Sequence, residues 1–510
     1  MKKYRLPFQL SLNGPQVFFA LACLSIIIKI SGKIFEAAKT CQKAAFVNPD
    51  LVASFLVVLL VNVVLLILAR HWSKILRIPM SFLFLILPFA FYFLLLINSL
   101  LFCWNDHFFL WGVFFCLLAW TWISRNDSTP QVRRLKEESW GYWFIGLFIL
   151  QGFLLFFSQN FRTDRLAFAD ENTFWYVAAK AMLDKGFLSA HQMSYPGGGL
   201  HPLGVPFLNA FPGILVNFSS PAIPFFMPIF ILIGFALVLS EFVRPQLRWG
   251  LIFFLAVWFA SLNNRSWVGN LFYSMVYGES VSMVLVLSLL NWLVLSKSEL
   301  TCRFWGLSGF LIGLLALTKF PLILFSVVFF IAFVIGNWPK IQNLKKLLVM
   351  IACFLVPFLV LKMFQMKFGG TVASLGGEGT LLEHLFSPNG DMLKRVVSNI
   401  AVDAGNLGYY FFVAALFSLF FYQQLSYGWP IVVWVLFLVI YYAYFYSYGF
   451  IGGGDAASGL RYFLPAVAGF FLLGANGFSK WINWIDRRKS RWLQLVLYSI
   501  SLSIIFYKFF

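Results

Sequence analysis

Long apolar runs, one after another along almost the whole chain, are the feature that most limits what this sequence can fold into. About fifteen of them approach the roughly 20 residues that a helix needs to cross a bilayer. Of the 510 residues, 61% are hydrophobic and only 11% are charged, whereas soluble domains have about 25% charged residues. The runs also lack the alternation of a membrane β-barrel. The sequence therefore predicts an all-α membrane protein, a polytopic bundle of about 13–15 transmembrane helices.

Basic residues indicate the orientation of these helices. Loops on the same side as the basic N-terminus hold most of the Lys and Arg residues, and most acidic residues fall on the other side. The positive-inside rule then makes the N-terminus cytoplasmic. Topology and attraction to anionic lipid account for the net charge of +19, so that nucleic acid is not expected as a partner.

Polar segments divide the chain into three predicted parts. A charged linker follows the first four apolar runs, and three outer segments interrupt the later ones, the first with short juxtamembrane helices. The predicted parts are an N-terminal extension of about four transmembrane helices over residues 1–135, a transmembrane core over 136–480 with outer loops at 159–221, 367–405 and 447–461, and a basic cytoplasmic loop with a final transmembrane helix over 481–510.

The first outer segment carries an acidic pair ahead of a predicted short helix. Asp170 and Glu171 precede this helix, and Gly186 is positioned to end it. Capping of the helix needs only Asp170, and Glu171 adds only a modest dipole benefit. A Pro- and Gly-rich turn then ends at Pro206, and the apolar stretch up to Val216 is too short and too Pro-rich to cross the membrane. We interpret this stretch as an interfacial or re-entrant helix.

Other ionisable residues lie where transmembrane helices are predicted to reach the outer face. Glu279 opens the eighth, Lys319 lies in the tight turn between the ninth and tenth, and Arg461 opens the fourteenth. Such groups at one membrane depth are candidates for function, although Lys319 alone could snorkel and Arg461 alone could anchor the interface. A carboxylate can accept a proton from an attacking hydroxyl, while Lys and Arg stabilise phosphate charge. The set therefore suits a reaction between a lipid-borne phosphate and a hydroxyl acceptor.

These motifs resemble the GT-C integral-membrane glycosyltransferases, the group that includes lipid A aminoarabinose transferases and protein O-mannosyltransferases. The resemblance extends from about Trp140 to Phe478, and the N-terminal helices before it are a departure from the smaller family members. Four motifs match in order: the Asp170-Glu171 pair, the turn from Tyr195-Pro196 to Pro206, Leu317-Thr318-Lys319, and Arg461-Tyr462-Phe463-Leu464-Pro465.

The resemblance implies a GT-C fold, a polyprenyl-phosphate-linked sugar donor, and inverting transfer of one sugar to a hydroxyl of a lipid, glycan or protein. It makes Asp170 the catalytic base with Glu171 beside it, and it gives Glu279 the second acidic position. The expected donor phosphate ligands are Lys319 and Arg461, and the substrate-binding candidates are Tyr195, His201 and Tyr462. A structural role in the turn is the alternative for His201. Carboxylates would suit Mg²⁺ or Mn²⁺, although no spacing requires a metal.

The family likeness also implies a bacterial inner membrane, with the active site on the periplasmic or extracellular side. Two other functions fit part of the pattern. An O-antigen-type polymerase or ligase would use the second large outer loop, which contains His384, Lys394 and Arg395. A flippase for polyprenyl-linked glycans would concentrate its charged residues near the bilayer midplane instead. A noncatalytic scaffold would leave the acidic pair unexplained.

Overall fold

The protein is helical throughout the part of the chain that the structure describes. The computed structural model describes residues 49–124, 175–193, 203–241, 278–295, 302–318, 320–338, 343–368 and Trp484. Within these ranges nearly every residue is helical and no β-strand occurs. The predicted all-α class is therefore confirmed for these residues.

Eleven α-helices follow one another in the described ranges. They are α1 (Pro49–Leu76), α2 (Met80–Ile97), α3 (Asp106–Ser124), α4 (Tyr176–Lys185), α5 (Phe187–Gln192), α6 (Gly204–Val216), α7 (Met227–Glu241), α8 (Gly278–Leu295), α9 (Cys302–Gly313), α10 (Phe320–Gly336) and α11 (Leu344–Phe368). A π-helical turn, Asn98–Phe102, extends α2, and 3-10 turns precede α7 (Ile223–Phe226) and follow α9 (Leu314–Leu317).

Three of the described helices are long and apolar enough to cross a membrane. They cover Ala53–Leu76, Met80–Phe102 and Leu344–Phe368. A helix satisfies its backbone N–H and C=O groups internally, which is why apolar runs of this length become helices in lipid. The described part of the chain is therefore that of a helical membrane protein.

Helix α2 lies at the centre of the described bundle. Most of its side chains are buried, and it packs against α1, α6, α7, α8 and α11. Phe84 stacks on Phe230 of α7 with ring centroids 4.9 Å apart, and Phe82 contacts Trp292 of α8 at 5.0 Å. The described helices of the predicted N-terminal extension thus pack directly on helices of the predicted core.

A carboxylate from α7 binds the N-terminus of α2. Glu241, the last residue of α7, accepts a hydrogen bond from the Ser81 backbone N–H at 2.8 Å and another from the Ser81 hydroxyl. The same hydroxyl lies 2.8 Å from the hydroxyl of Ser288 in α8. The first N–H groups of a helix have no partner within the helix, and they favour an acidic group nearby. Glu241 therefore completes α2 and ties three helices together.

Helices α9 and α11 form a very close pair. A methyl group built at Gly309 would lie 2.2 Å from the Met350 carbonyl oxygen, and one at Gly313 would lie 2.4 Å from the Phe354 carbonyl oxygen. Both distances are far below van der Waals contact with backbone atoms. Small residues at four-residue spacing allow two membrane helices to approach in this way.

Helix ends that the predicted alternation places on the same side also meet in the structure. Lys367, near the end of α11, donates a hydrogen bond to the Leu100 carbonyl at the end of α2, at 2.8 Å. Near the start of α1, the Ser54 hydroxyl donates to the Ser220 hydroxyl, just ahead of α7, at 2.9 Å. Each of these contacts joins two segments that the predicted alternation puts on the same side.

Candidate functional site

Most of the predicted site residues lie outside the described residues. These are Asp170, Glu171, Tyr195, His201, Lys319, Arg461 and Tyr462. Glu279 is the second residue of α8, so its backbone lies at a helix start as the sequence leads us to expect. The structure does describe the helices and turns that flank three of the predicted motifs, namely the acidic pair, the Pro- and Gly-rich turn and the turn at Lys319. The surroundings of the candidate site are described from these elements.

Helix α4 follows the acidic pair by a few residues and is firmly packed. Trp175, just before it, is 3% exposed, and Ala178 and Met182 on its inner face are buried against α6 and its neighbours. The helix ends at Gly186, whose φ of 88° lies in the left-handed region that glycine adopts without strain. The predicted end at Gly186 is therefore confirmed, whereas the predicted N-cap, Asp170, lies outside the described residues.

The turn that leads into α6 touches the turn that follows α9. A methyl group built at Gly204 would lie 1.9 Å from the Leu317 carbonyl oxygen and 3.1 Å from the Thr318 Cα. Thr318 is fully buried, and its hydroxyl donates to the Leu315 carbonyl at 2.6 Å, which closes this turn. Lys319 follows Thr318 directly in the sequence. Two of the predicted motifs therefore meet through the residues that flank them.

Helix α6 is enclosed by protein. Every residue of Gly204–Leu215 is buried, and its 13 residues are too few to cross a bilayer. Its Phe211 stacks on Phe91 of α2 at 5.2 Å, and its Phe207 contacts Tyr92 at 5.3 Å between ring centroids. Helix α6 therefore packs against other helices along its whole length.

The C-terminal carbonyls of α6 are bound by side chains of α3. The Nδ1 atom of His107 lies 2.6 Å from the Ile214 carbonyl oxygen, and the Trp111 indole N–H donates to the Leu215 carbonyl. Because a carbonyl oxygen only accepts hydrogen bonds, we assign the proton to Nδ1 of His107. Helix α6 is thus held at both ends, by the turn after α9 and by α3.

His191 of α5 is packed among aromatic rings. Its Nδ1 lies 2.9 Å from the Phe187 carbonyl oxygen, and its Nε2 lies 2.9 Å from the Tyr92 hydroxyl. The carbonyl only accepts, so Nδ1 donates and Nε2 accepts from Tyr92. The Phe187 and Phe364 rings lie 4.4 Å and 5.0 Å from the imidazole centroid. Burial lowers the pKa of His191 to about 4, against the opposing effect of the Phe187 hydrogen bond, and the imidazole is therefore neutral.

A polar cavity of about 320 Å³ opens between the end of α2, the start of α3 and the junction of α4 with α5. The half-buried Asp106 carboxylate accepts a hydrogen bond from the Asn98 amide at 3.3 Å. Burial raises the pKa of the Asp106 carboxyl, although hydrogen bonds from the Phe187 N–H and the Asn98 amide lower it. Lys185 and His107 line the same cavity. The arrangement offers one carboxylate, one ammonium and one imidazole to a ligand.

Neither this cavity nor His191 was expected from the sequence pattern. The signal for the cavity was the polar run Asn105-Asp106-His107, which separates two apolar runs at the predicted outer side. For His191 the sequence offers only a lone histidine in a short helix, and its partner Tyr92 is 99 residues away.

Among the described residues, no group of three or more His, Cys, Asp and Glu side chains could hold a metal ion. The acidic pair Asp170 and Glu171 lies outside these residues. Carboxylates in general suit Mg²⁺ or Mn²⁺ because these ions prefer oxygen ligands.

Comparison with known proteins identifies no relative. No protein-family model matches the chain, and no curated protein and no solved structure matches it either.

Proposed function

We propose that this protein is a glycosyltransferase that moves a single sugar from a polyprenyl-phosphate-linked donor to a hydroxyl of a lipid, glycan or protein, with inversion. The observation that carries the proposal is the ordered set of ionisable residues at predicted outer helix ends, namely Asp170, Glu171, Glu279, Lys319 and Arg461. The close contact of Gly204 with Leu317 supports it, because this contact joins the Pro- and Gly-rich turn to the turn before Lys319. The proposal includes a bacterial inner membrane and a site on its periplasmic or extracellular side.

In the proposed reaction, the acceptor hydroxyl attacks the anomeric carbon of the donor sugar, and the bond from that carbon to the phosphate oxygen breaks. The polyprenyl phosphate leaves with the bonding electron pair, and the hydroxyl proton passes to a carboxylate. We assign this role to Asp170. Glu171, beside it in the sequence, is assigned a different role. A single displacement of this kind inverts the anomeric configuration.

Two cationic side chains are proposed to stabilise the negative charge of the departing phosphate. Arg461 suits a bidentate contact with phosphate oxygens, and Lys319 suits a point contact. Mg²⁺ or Mn²⁺, if held by the carboxylates, would add further charge neutralisation at the phosphate. Glu279 at the start of α8 is the second acidic position.

The first experiment measures polyprenyl lipids by mass spectrometry in cells that lack this protein. The cells are complemented with the wild type, Asp170→Asn, or the control Asp184→Asn. Asp184 lies exposed on α4 and accepts a hydrogen bond from the Ser219 hydroxyl at 2.6 Å, which Asn can still accept. We expect one polyprenyl-phosphate sugar to accumulate and to be cleared by the wild type and Asp184→Asn only. Its mass would identify the donor sugar.

Two outcomes would count against the proposal. Clearance by Asp170→Asn at the wild-type level would remove Asp170 from the base role. Accumulation of a pyrophosphate-linked oligosaccharide would favour a polymerase, ligase or flippase instead.

The phosphate assignment has its own test in purified protein. We expect Lys319→Ala and Arg461→Ala to lower kcat/KM for the donor roughly 10- to 100-fold, the usual loss for a hydrogen bond to a charged group. Donor kinetics equal to those of the wild type would reject the assignment.

A further inference from the structure

An apolar groove of about 610 Å³ runs along the exposed side of α3. Residues that line it recur every three or four positions and so form one stripe on the helix, as in Asn105, Phe108, Gly112, Cys116 and Trp120. At 1.5 Å per residue, this stripe extends for about 22 Å. It therefore covers much of a hydrocarbon core about 30 Å thick.

The floor of the groove is open and its walls are aromatic. A methyl group built at Gly112 would meet no atom within 4 Å. Phe108 and Trp120 are 76% and 60% exposed. The groove is thus shaped to receive a flexible chain lying along the helix.

The groove and the polar cavity share a rim. Trp104 and Asn105 line both of them. At this rim the lining changes from apolar side chains to the Asp106 carboxylate and the Lys185 ammonium. A single site with a charged end and a long apolar end matches an amphiphile and does not match a compact polar ligand.

We propose that the cavity and the groove together bind one phospholipid, with the headgroup in the cavity and one acyl chain along α3. The Lys185 ammonium binds the phosphate, and the Asp106 carboxylate accepts a hydrogen bond from a hydroxyl or ammonium group of the headgroup. Asn98 holds this carboxylate in place from α2. The headgroup must therefore carry a hydrogen-bond donor.

The cavity lies at the opposite end of α6 from the contact with the turn that precedes Lys319. The cavity lies beside Ile214 in α6, whereas Gly204, which contacts the turn before Lys319, lies ten residues earlier in that helix. Ten residues of helix correspond to about 15 Å. The inference does not depend on the proposed transferase function, and its test uses no transfer assay.

Native mass spectrometry of the purified full-length protein tests the proposal. The protein is titrated with phosphatidylglycerol, whose headgroup donates hydrogen bonds, or with phosphatidylcholine, whose headgroup has no donor. Gly112→Trp fills the groove floor, and Phe115→Trp is the matched control because Phe115 lies on the same helix, is 58% exposed and is not part of the lining. Asp106→Asn weakens the headgroup contact and leaves the groove unchanged.

We expect the wild type and Phe115→Trp to retain one phosphatidylglycerol in preference to phosphatidylcholine. Gly112→Trp should lose this bound lipid, and Asp106→Asn should bind phosphatidylglycerol about tenfold more weakly, the loss expected for one hydrogen bond to a charged group. Equal retention of the two lipids by the wild type, or unchanged retention by Gly112→Trp, would overturn the proposal and show that α3 holds annular lipid only.

Discussion

Gly204 has no room for a side chain, because the Leu317 carbonyl oxygen occupies the place where a Cβ would lie. The obstacle is backbone, so it cannot rotate aside as a side chain would. We expect Gly204→Ala to push the start of α6 away from the turn after α9, at a cost of roughly 1–3 kcal/mol, the usual range for overpacking. A lower thermal unfolding midpoint of the purified protein would report this.

Gly112→Ala is the matched control for that measurement. A methyl group at Gly112 meets nothing within 4 Å, and Ala favours a helix over Gly, so the unfolding midpoint should equal or slightly exceed the wild-type value. A Gly204→Ala variant as stable as Gly112→Ala would contradict the close contact with Leu317.

His191 should make the stability of the protein depend on pH. Its pKa of about 4 in the folded protein lies below the ordinary value of 6.5. The unfolded chain therefore binds the proton first, and stability that is complete above pH 6.5 is lost as the pH falls toward 4. The size of the effect is roughly 3 kcal/mol.

The His191→Gln variant isolates this effect. A Gln amide can donate to the Phe187 carbonyl and accept from Tyr92, but it does not titrate. We expect the fall of the thermal midpoint between pH 6.5 and pH 4 to be smaller in His191→Gln than in the wild type. Identical pH profiles would assign the acid sensitivity to other groups.

Single residues differ in how far their roles could be predicted from the sequence. The role of Gly186 could be predicted, because the signal for the helix end is this glycine, which directly follows the helix in the sequence. The packing of His191 could not be, because it depends on Tyr92 and Phe364, which are distant in the chain. Structure that depends on neighbouring residues can be predicted from the sequence. Contacts between residues that are distant in the chain can be identified only once the fold is known.

Among the helices, the α9–α11 pair depends on the small residues of α9. We expect Gly309→Ala to separate the helices and lower the thermal midpoint, because its methyl group would lie 2.2 Å from the Met350 carbonyl oxygen. Gly306→Ala is the control on the same helix. Its methyl group would meet the ends of the Val349 and Cys353 side chains at 3.0 Å and 3.4 Å, and these can adjust. Equal effects of the two substitutions would argue against backbone contact.

At the scale of helices, the apolar runs correctly predicted where several helices form. The apolar runs in residues 49–124, which belong to the predicted N-terminal extension, became α1, α2 and α3. The tight turn after Leu317 was also predicted, and α10 begins at Phe320. Their packing was not predicted, because an apolar side chain suits lipid and protein equally well and so does not reveal which face of a helix is buried.

For the whole molecule, the predicted alternation can be tested with two cysteines. Cys103 is exposed and directly follows the π-helical turn that extends α2, at the predicted outer side. Cys302 begins α9, on the side predicted to be cytoplasmic. In variants that keep only one cysteine, a membrane-impermeant maleimide should label Cys103 in intact cells and Cys302 only after permeabilisation. The reverse labelling pattern would show that the orientation in the membrane is opposite to the predicted one.

The candidate site could be predicted only as a set of motifs. Gly204 and Leu317 are more than one hundred residues apart in the sequence, and they meet because α6 packs beside α2 with its first residue against the 3-10 turn that follows α9. Periodicity shows that each segment is helical but not which turns touch. The order of the motifs therefore came from the sequence, and the junction of two of them came from the fold.

The bond between Ser81 and Glu241 also has a consequence for biogenesis. The ribosome makes Glu241 160 residues after Ser81, which at ordinary elongation rates takes about 10–30 s. During that interval the Ser81 N–H at the start of α2 lacks the Glu241 carboxylate as its hydrogen-bond acceptor. This end of α2 therefore reaches its final environment only after α7 has been synthesised. The central helix of the bundle is thus synthesised well before the residue that completes its N-terminus.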